Sequence, residues 1–252
     1  ISPIQKTGST GAILTLHDVT ESKRLQKMRT DFVANVTHEL KTPLTSIRGF
    51  VETLRAGAIN KPEVADRFLE FIDIEAERLH QLIRDILILS EIEEVKQESD
   101  RQRFDLYALI DDVAVLLDDT ATQAHVSIRV DDAVEPLTVE ANPGRIKQIL
   151  INLIDNAVKY NKSGGTVSVH AERLPDGQVL ISVQATGVGI EREHQDRVFE
   201  RFYRVDKSRS REMGGTGLGL SIVKHIAQLY GGYAKVDSKP GEGATFSVYL
   251  KI

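Results

Sequence analysis

The sequence contains no cysteine, which excludes a disulfide framework and any thiolate metal site and fits a reducing compartment such as the cytoplasm. No stretch approaches the roughly 18 consecutive apolar residues of a membrane-spanning helix, and no signal-peptide pattern opens the chain. A soluble chain is expected. Basic residues are not in surplus: 32 Lys and Arg stand against 37 Asp and Glu, a formal net charge of −5. General nucleic-acid binding needs a clustered basic surface and is excluded. Internal repeats and low-complexity segments are lacking too. What remains is 252 residues with 41% hydrophobic content, enough for one large domain or two modest ones.

The first third reads as two helices. Leu25, Met28, Phe32, Val36, Leu40, Leu44, Ile47, Val51 and Leu54 recur at three-and-four spacing, which predicts a helix over 20–55. His38 lies two residues from both Val36 and Leu40, so it turns about 200° from that face at about 100° per residue. Its imidazole is thereby presented to solvent or to a docking partner. Pro43 has no N–H, which removes the intrahelical partner of the Glu39 carbonyl and predicts a bend one turn beyond the histidine. Residues 56–62 read as a turn, with Pro62 at the start of a second helix. There Phe68, Ile72, Glu75, Leu79, Leu82, Ile86 and Leu89 form a heptad seam interrupted by one acid. A lone hairpin cannot cover both apolar faces. Two hairpins from two chains would, as a four-helix bundle; packing on the rest of the same chain is the alternative, and the homodimer is expected.

Residues 92–103 are polar and charged and mark an expected hinge. Beyond them the pattern alternates: a helix over 105–123, strands over 126–130 and 137–140, and a helix from 143 to 160 opened by Asn142-Pro143. Strands over 167–173 and 179–183 flank the Pro175-Asp176-Gly177 turn. A helix over 218–230 and strands over 233–237 and 244–249 complete the pattern. Antiparallel hairpins with helices segregated to one side predict an α+β two-layer sandwich. At the other end, Gly11–Leu16 is strand-like with no earlier strand apparent to pair with, which would leave an exposed edge. It is either a flexible tail or the last strand of a domain upstream.

Several runs carry chemistry. His38-Glu39 places an imidazole, nucleophilic near pH 7, beside a carboxylate able to take its remaining proton. Thr42 and Pro43 follow. Asn152, Asn156 and Lys159, spaced four and three, form a polar stripe apart from the apolar face of their helix. The run Gly214-Gly215-Thr216-Gly217-Leu218-Gly219 precedes the last long helix, where glycines let backbone N–H groups approach phosphate oxygens at a positive helix end.

These runs, in this order, resemble those of bacterial sensor histidine kinases over about Thr20 to Ile252. His38-Glu39-Leu40-Lys41-Thr42-Pro43 is similar to the H-box, and 152–160 to the N-box. Ala185-Thr186-Gly187-Val188-Gly189 is similar to the G1 box, and 199–204 to the F-box. Residues 205–215 resemble the ATP lid and 214–220 the G2 box. The resemblance implies a dimeric four-helix-bundle hairpin domain over 19–98 and an α/β sandwich ATPase domain over 99–252. Ser9–Glu21 resembles the C-terminal strand of a PAS sensory domain leading into its output helix. This implies that 1–18 are the remnant of such a domain and the chain a fragment of a larger bacterial membrane receptor whose membrane segments are absent from it.

What the resemblance implies for individual residues is specific. His38 would accept a phosphoryl group from ATP and pass it to an aspartate of a response regulator. Glu39 would act as the base, and Thr42 would position water when the phospho-regulator is dephosphorylated. Asn156 would ligate Mg²⁺, with Asn152 and Lys159 near the phosphates and Tyr160 near sugar or base. Gly187, Gly189, Gly215, Thr216, Gly217, Leu218 and Gly219 would line the nucleotide, and Arg204 would stabilise charge on the γ-phosphate. One position departs. The family pattern has aspartate where this chain has Ala185, and that carboxylate accepts the adenine amino hydrogen bond. Weakened ATP binding and autophosphorylation are therefore expected here. A kinase-silent docking platform or phosphatase for a response regulator is the alternative.

Overall fold

The structure is a computed structural model that describes the chain apart from residues 1, 7–8, 14–16, 96–97, 99, 132–134 and 207–214. The Leu14–Leu16 part of the first strand, Gly214, and most of the expected lid lie outside the described residues, as do the side chains of Leu25 and Met28.

An antiparallel pair, β1 (Ser2–Lys6) and β2 (Ser9–Ile13), opens the chain. The strand expected to be an orphan therefore has a partner. Pro3, which cannot donate to a ladder, hid β1 from a reading of propensity; in a two-stranded sheet its nitrogen can face outward.

α1 (Thr20–Arg55) and α2 (Pro62–Glu94) form the hairpin. Asp18 Oδ1 accepts from Thr20 N at 2.9 Å at the start of α1, and Pro62 opens α2 where a missing N–H costs nothing. Between them Gly57, at φ +117°, leads into a 3-10 turn over Ala58–Asn60. α1 remains one helix through Pro43, which is buried. Phe50 packs on Phe68 and Phe71, with ring centroids 5.7 and 5.4 Å apart.

Two of the expected boundaries move. Ile92 is not hinge: α2 continues to Glu94 and Ile92 is 4% exposed, because it extends the spacing of Leu82 and Leu89 and lies in the same core. The expected helix over 105–123 is two, α3 (Leu106–Leu116) and α4 (Asp118–Gln123). They break at Leu117, where Asp118 and Asp119 favour a new helix N-terminus over a helix interior. Before α3, the polar strand β3 (Gln102–Asp105) pairs antiparallel with β5 (Thr138–Ala141). Asp105 caps α3, its Oδ1 accepting from Tyr107 N at 3.2 Å and Leu137 N at 3.1 Å.

The main sheet has five strands in the order β4-β6-β7-β9-β8: β4 (Ser127–Val130), β6 (Thr166–Arg173), β7 (Val179–Ala185), β9 (Gly243–Leu250) and β8 (Tyr233–Lys239). All its pairs are antiparallel except β4 with β6. Val167, Val169, Val179, Ile181 and Val183 alternate inward. They pack with α5 (Pro143–Lys159) and, beyond a short α6 (Arg192–Gln195), with α7 (Gly219–Leu229). Asn142 caps α5 as its sequence predicted, accepting from Gly144 N at 2.9 Å. Ile146, Ile149, Leu150, Leu153 and Ile154 of α5 are fully buried. A helical hairpin followed by an α/β sandwich is the architecture expected from the sequence.

Candidate functional site

The apolar face of α5 is fixed by the core, so its opposite stripe must face outward, and it faces a cavity of about 860 Å³. Asn152, Asn156, Lys159 and Tyr160 line it, together with Ala185, Gly187, Gly189, Arg204, Gly215, Thr216, Gly217 and Gly219. Nearly all of the candidate nucleotide residues thus converge on one space. Leu218 is the exception. It is fully buried, anchoring the loop beneath the cavity rather than lining it.

The glycines are needed where they stand. A Cβ at Gly187 would lie 2.3 Å from the Tyr160 carbonyl oxygen, so only glycine lets this turn close on the end of α5. Gly217 sits at φ +74° against Phe202, whose N–H donates to the Gly217 carbonyl at 2.8 Å. Phe202 is itself left-handed at φ 61°, a costly conformation for an aromatic residue. It brings the chain back so that the next residues, Tyr203 and Arg204, enter the cavity wall.

The stripe carries one ion pair and one buried amide donor without a partner. Lys159 Nζ is paired with Asp155 Oδ2 at 2.7 Å. Asn152 Nδ2 is buried without a hydrogen-bond partner, a costly arrangement that an anionic oxygen in the cavity would relieve. No group of three or more His, Cys, Asp or Glu able to hold a metal occurs among the described residues. A single Asn156 carbonyl fits an ion bound mainly through phosphate and water oxygens, as Mg²⁺ is. Ala185 ends β7, 9% exposed, and presents only a methyl group.

The far wall comes from the hairpin. Glu75, Arg78, Gln81 and Asp85 of α2 line the cavity. Reading the sequence for nucleotide chemistry missed them. A signal existed: Asp85 lies three residues from Leu82 and four from Leu89, an acid on an apolar face. It is 3% exposed, and burial raises its pKa above the usual carboxylate value against the lowering effect of its hydrogen bonds.

His38 stands apart from this cavity. Its side chain is 71% exposed, turned outward as its helical phase predicted, with Nδ1 4.0 Å from Glu39 Oε1. It borders a shallow groove on the hairpin with Thr42, Phe50 and Phe68. Thr42 spends its hydroxyl on the His38 carbonyl at 3.2 Å. Glu39 points the other way. Its Oε2 lies 3.2 Å from Arg204 Nη2 and 3.7 Å from Arg78 Nη2, and Arg204 is only 5% exposed. Nearby, Phe32 of α1 packs on Phe202 at 5.9 Å, and Arg201 meets both Glu93 and the Phe32 ring. The acid beside the histidine therefore touches the cavity wall while the imidazole does not.

Comparison with known proteins agrees with this geometry. Residues 28–95 match the His Kinase A (phospho-acceptor) domain, and 141–252 match the family described as histidine kinase-, DNA gyrase B- and HSP90-like ATPase. Sensor histidine kinase WalK of Bacillus subtilis is 38% identical over 241 residues, which cover 95% of this chain and 39% of that protein. Sensor protein kinase WalK of Staphylococcus aureus is 36% identical over 249 residues, 98% of this chain and 41% of that protein. The chain thus spans about two fifths of the length of these relatives. Among solved structures, histidine kinase ThkA in complex with response regulator protein TrrA superimposes with a TM-score of 0.70 at 26% identity, covering 99% of this chain and 73% of that one. Full-length ShkA in complex with AMPPNP gives 0.65 at 29% identity, covering 88% and 45%. The catalytic domain of histidine kinase ThkA gives a TM-score of 0.51 at 30% identity, covering 60% of this chain and 95% of that one. With a phospho-acceptor hairpin joined to an ATPase sandwich, the chain belongs to the histidine kinases.

Proposed function

We propose that the chain is the catalytic core of a two-component sensor kinase that phosphorylates His38 from ATP and passes the group to an aspartate of a response regulator. The observation that carries this reading is the Arg204–Glu39 contact at 3.2 Å, which ties the residue next to His38 to the cavity built by Asn152, Asn156 and the glycine loop. Bound Mg²⁺, ligated on the protein side by Asn156, would neutralise phosphate charge. Asn152 and Lys159 hold the phosphate end, Tyr160, Gly187 and Gly189 surround the nucleoside, and Arg204 offsets charge on the γ-phosphate. Glu39 takes the imidazole proton once Arg204 and the cavity move to the histidine side of α1. Thr42 orients water for dephosphorylation of the regulator, which docks on the hairpin groove around His38. That the ThkA structure holds a response regulator, and the ShkA structure AMPPNP, supports both ligand classes.

The working unit is a homodimer. Leu44 and Val51, both on the apolar stripe of α1, are 60% and 39% exposed in the single chain, as a bundle partner requires. The core operates in the cytoplasm, and residues 1–18 continue a PAS-like sensory domain of a membrane receptor. No helix among the described residues is long and apolar enough to cross a membrane.

Ala185 offers no acceptor for the adenine amino group. Losing a hydrogen bond to a charged group costs about 1.5–3 kcal/mol, or about 10- to 150-fold in ATP affinity. The same residue favours the second reading, a docking platform or phosphatase whose kinase step is silent. Incubation with Mg²⁺ and labelled ATP separates the two, using this chain, Ala185→Asp, and Ala185→Asp combined with His38→Gln. Acid-labile label on the single variant alone is the expected result. Its absence from all three at saturating ATP would overturn the kinase reading.

A further inference from the structure

Thr216 sits in the glycine loop at 8% exposure, and its hydroxyl is fully committed. The oxygen accepts from Leu218 N at 3.2 Å, and its single proton goes to Asp85 Oδ2 at 2.6 Å. The other Asp85 oxygen accepts from Gln81 Nε2 at 2.8 Å. Asp85 belongs to α2, so this contact joins the loop expected to cradle phosphates to the hairpin. The carboxylate also senses Lys159 and Asp155, residues of the phosphate end of the cavity. A carboxylate oxygen that accepts from the glycine loop within the field of that lysine uses the donors a phosphate oxygen would use.

We propose that Asp85 is an internal stand-in for nucleotide phosphate, competing with the triphosphate for the Thr216 hydroxyl. This rests on the nucleotide reading above and adds a regulation to it. A triphosphate reaching Thr216 would meet the Asp85 carboxylate as a like charge in a poorly solvated site. Its binding therefore displaces Asp85, and α2 with it. Leu82 and Leu89, within about one turn on either side of Asp85, lie in the core shared with the sandwich. Moving Asp85 strains that seam. Filling the cavity thus loosens the sandwich from the hairpin, the release that transfer to His38 on the opposite side of α1 requires. A carboxylate whose only role was to fill space would be poorly chosen, because its burial opposes its own charge.

The test measures binding of AMPPNP with Mg²⁺, and of adenosine, by calorimetry. It uses the Ala185→Asp chain with and without Asp85→Asn or Asp85→Ala, each checked by thermal unfolding. Asp85→Asn keeps the volume and removes the charge. Competition predicts AMPPNP binding tightened by about tenfold in both variants, the scale of one charged hydrogen bond. Adenosine, which has no phosphate, keeps its affinity. Unchanged or weakened AMPPNP binding, or an equal shift for both ligands, would overturn the competition alone. Failure of AMPPNP to bind even Ala185→Asp would instead overturn the nucleotide reading, and the competition with it.

Discussion

In the sandwich, Ile146, Ile149, Leu150, Leu153 and Ile154 of one helix are all fully buried within a single chain, whereas in the hairpin Leu44, Leu69, Ile74 and Leu87 are each 55–60% exposed. Both regions have regular apolar periodicity, so periodicity alone does not say where a core is complete. The sandwich closes because a sheet and several helices share one set of inward side chains. Two helices have nothing to place on their second face. α2 shows both conditions along one helix: Leu82, Leu89 and Ile92 toward its end join the sandwich core, while Leu69 and Ile74 stay open. Stability in the single chain is therefore concentrated in the sandwich and the end of α2, and the rest of the hairpin depends on a second copy.

The largest expected effect attacks that dependence. Leu44→Asp places a charge in the proposed seam between copies and should convert the dimer to monomer in sedimentation velocity at micromolar concentration, because burying an unpaired carboxylate costs several kcal/mol. A dimer that survives it would show that Leu44 is not at the interface. Next in size, Leu153→Ala in α5 should lower unfolding free energy by about 2–5 kcal/mol through the cavity it leaves. In a Leu44→Asp monomer, Leu87→Ala should change it by about 0.5 kcal/mol or less. Urea titration reads both, and equal losses would erase the contrast between the regions. Smaller again, Ala185→Asp should raise ATP affinity by about 10- to 150-fold while the sedimentation coefficient stays that of the dimer.

The same contrast explains what was legible in the sequence. α1, α5 and the capping Asn142 could be read because long apolar stripes and local caps are properties of neighbouring residues. The convergence of Asn152, Asn156 and the glycine loop was legible through the order of motifs. What was not legible depends on distant partners. β3 is polar and becomes a strand only because β5 lies beside it. Ile92 looked like linker because the charged residues after it masked the last turn of a helix that the sandwich covers. Arg204 was read for phosphate chemistry, yet its contact with Glu39 spans 165 positions in the chain. Asp85 was overlooked for the same reason, since its meaning comes from Thr216, 131 positions away.

The smallest expected effect concerns His225, on the α7 side of the seam between the two regions. Its Nδ1–H donates to the Ser221 carbonyl at 2.7 Å, which leaves the Nε2 lone pair toward Arg201 Nη2 at 3.0 Å. Burial holds the imidazole pKa below its usual 6.5, and the charges of Arg201 and Lys224 push the same way, against the Ser221 bond and with Glu93 only 3.5 Å from Nε2. The folded state therefore binds this proton less readily than the unfolded one. The stability it contributes is fully present above the usual histidine value and is lost as pH falls through the depressed folded value. Urea midpoints should fall with acidification across that window in the parent and fall less in His225→Gln. The effect stays small because the side chain is 23% exposed, and water screens part of the penalty. A steeper acid dependence in His225→Gln than in the parent would mean that Glu93 stabilises the charged ring after all, and that an ion pair with Glu93, not the hydrogen bond from Arg201, sets the protonation of this ring.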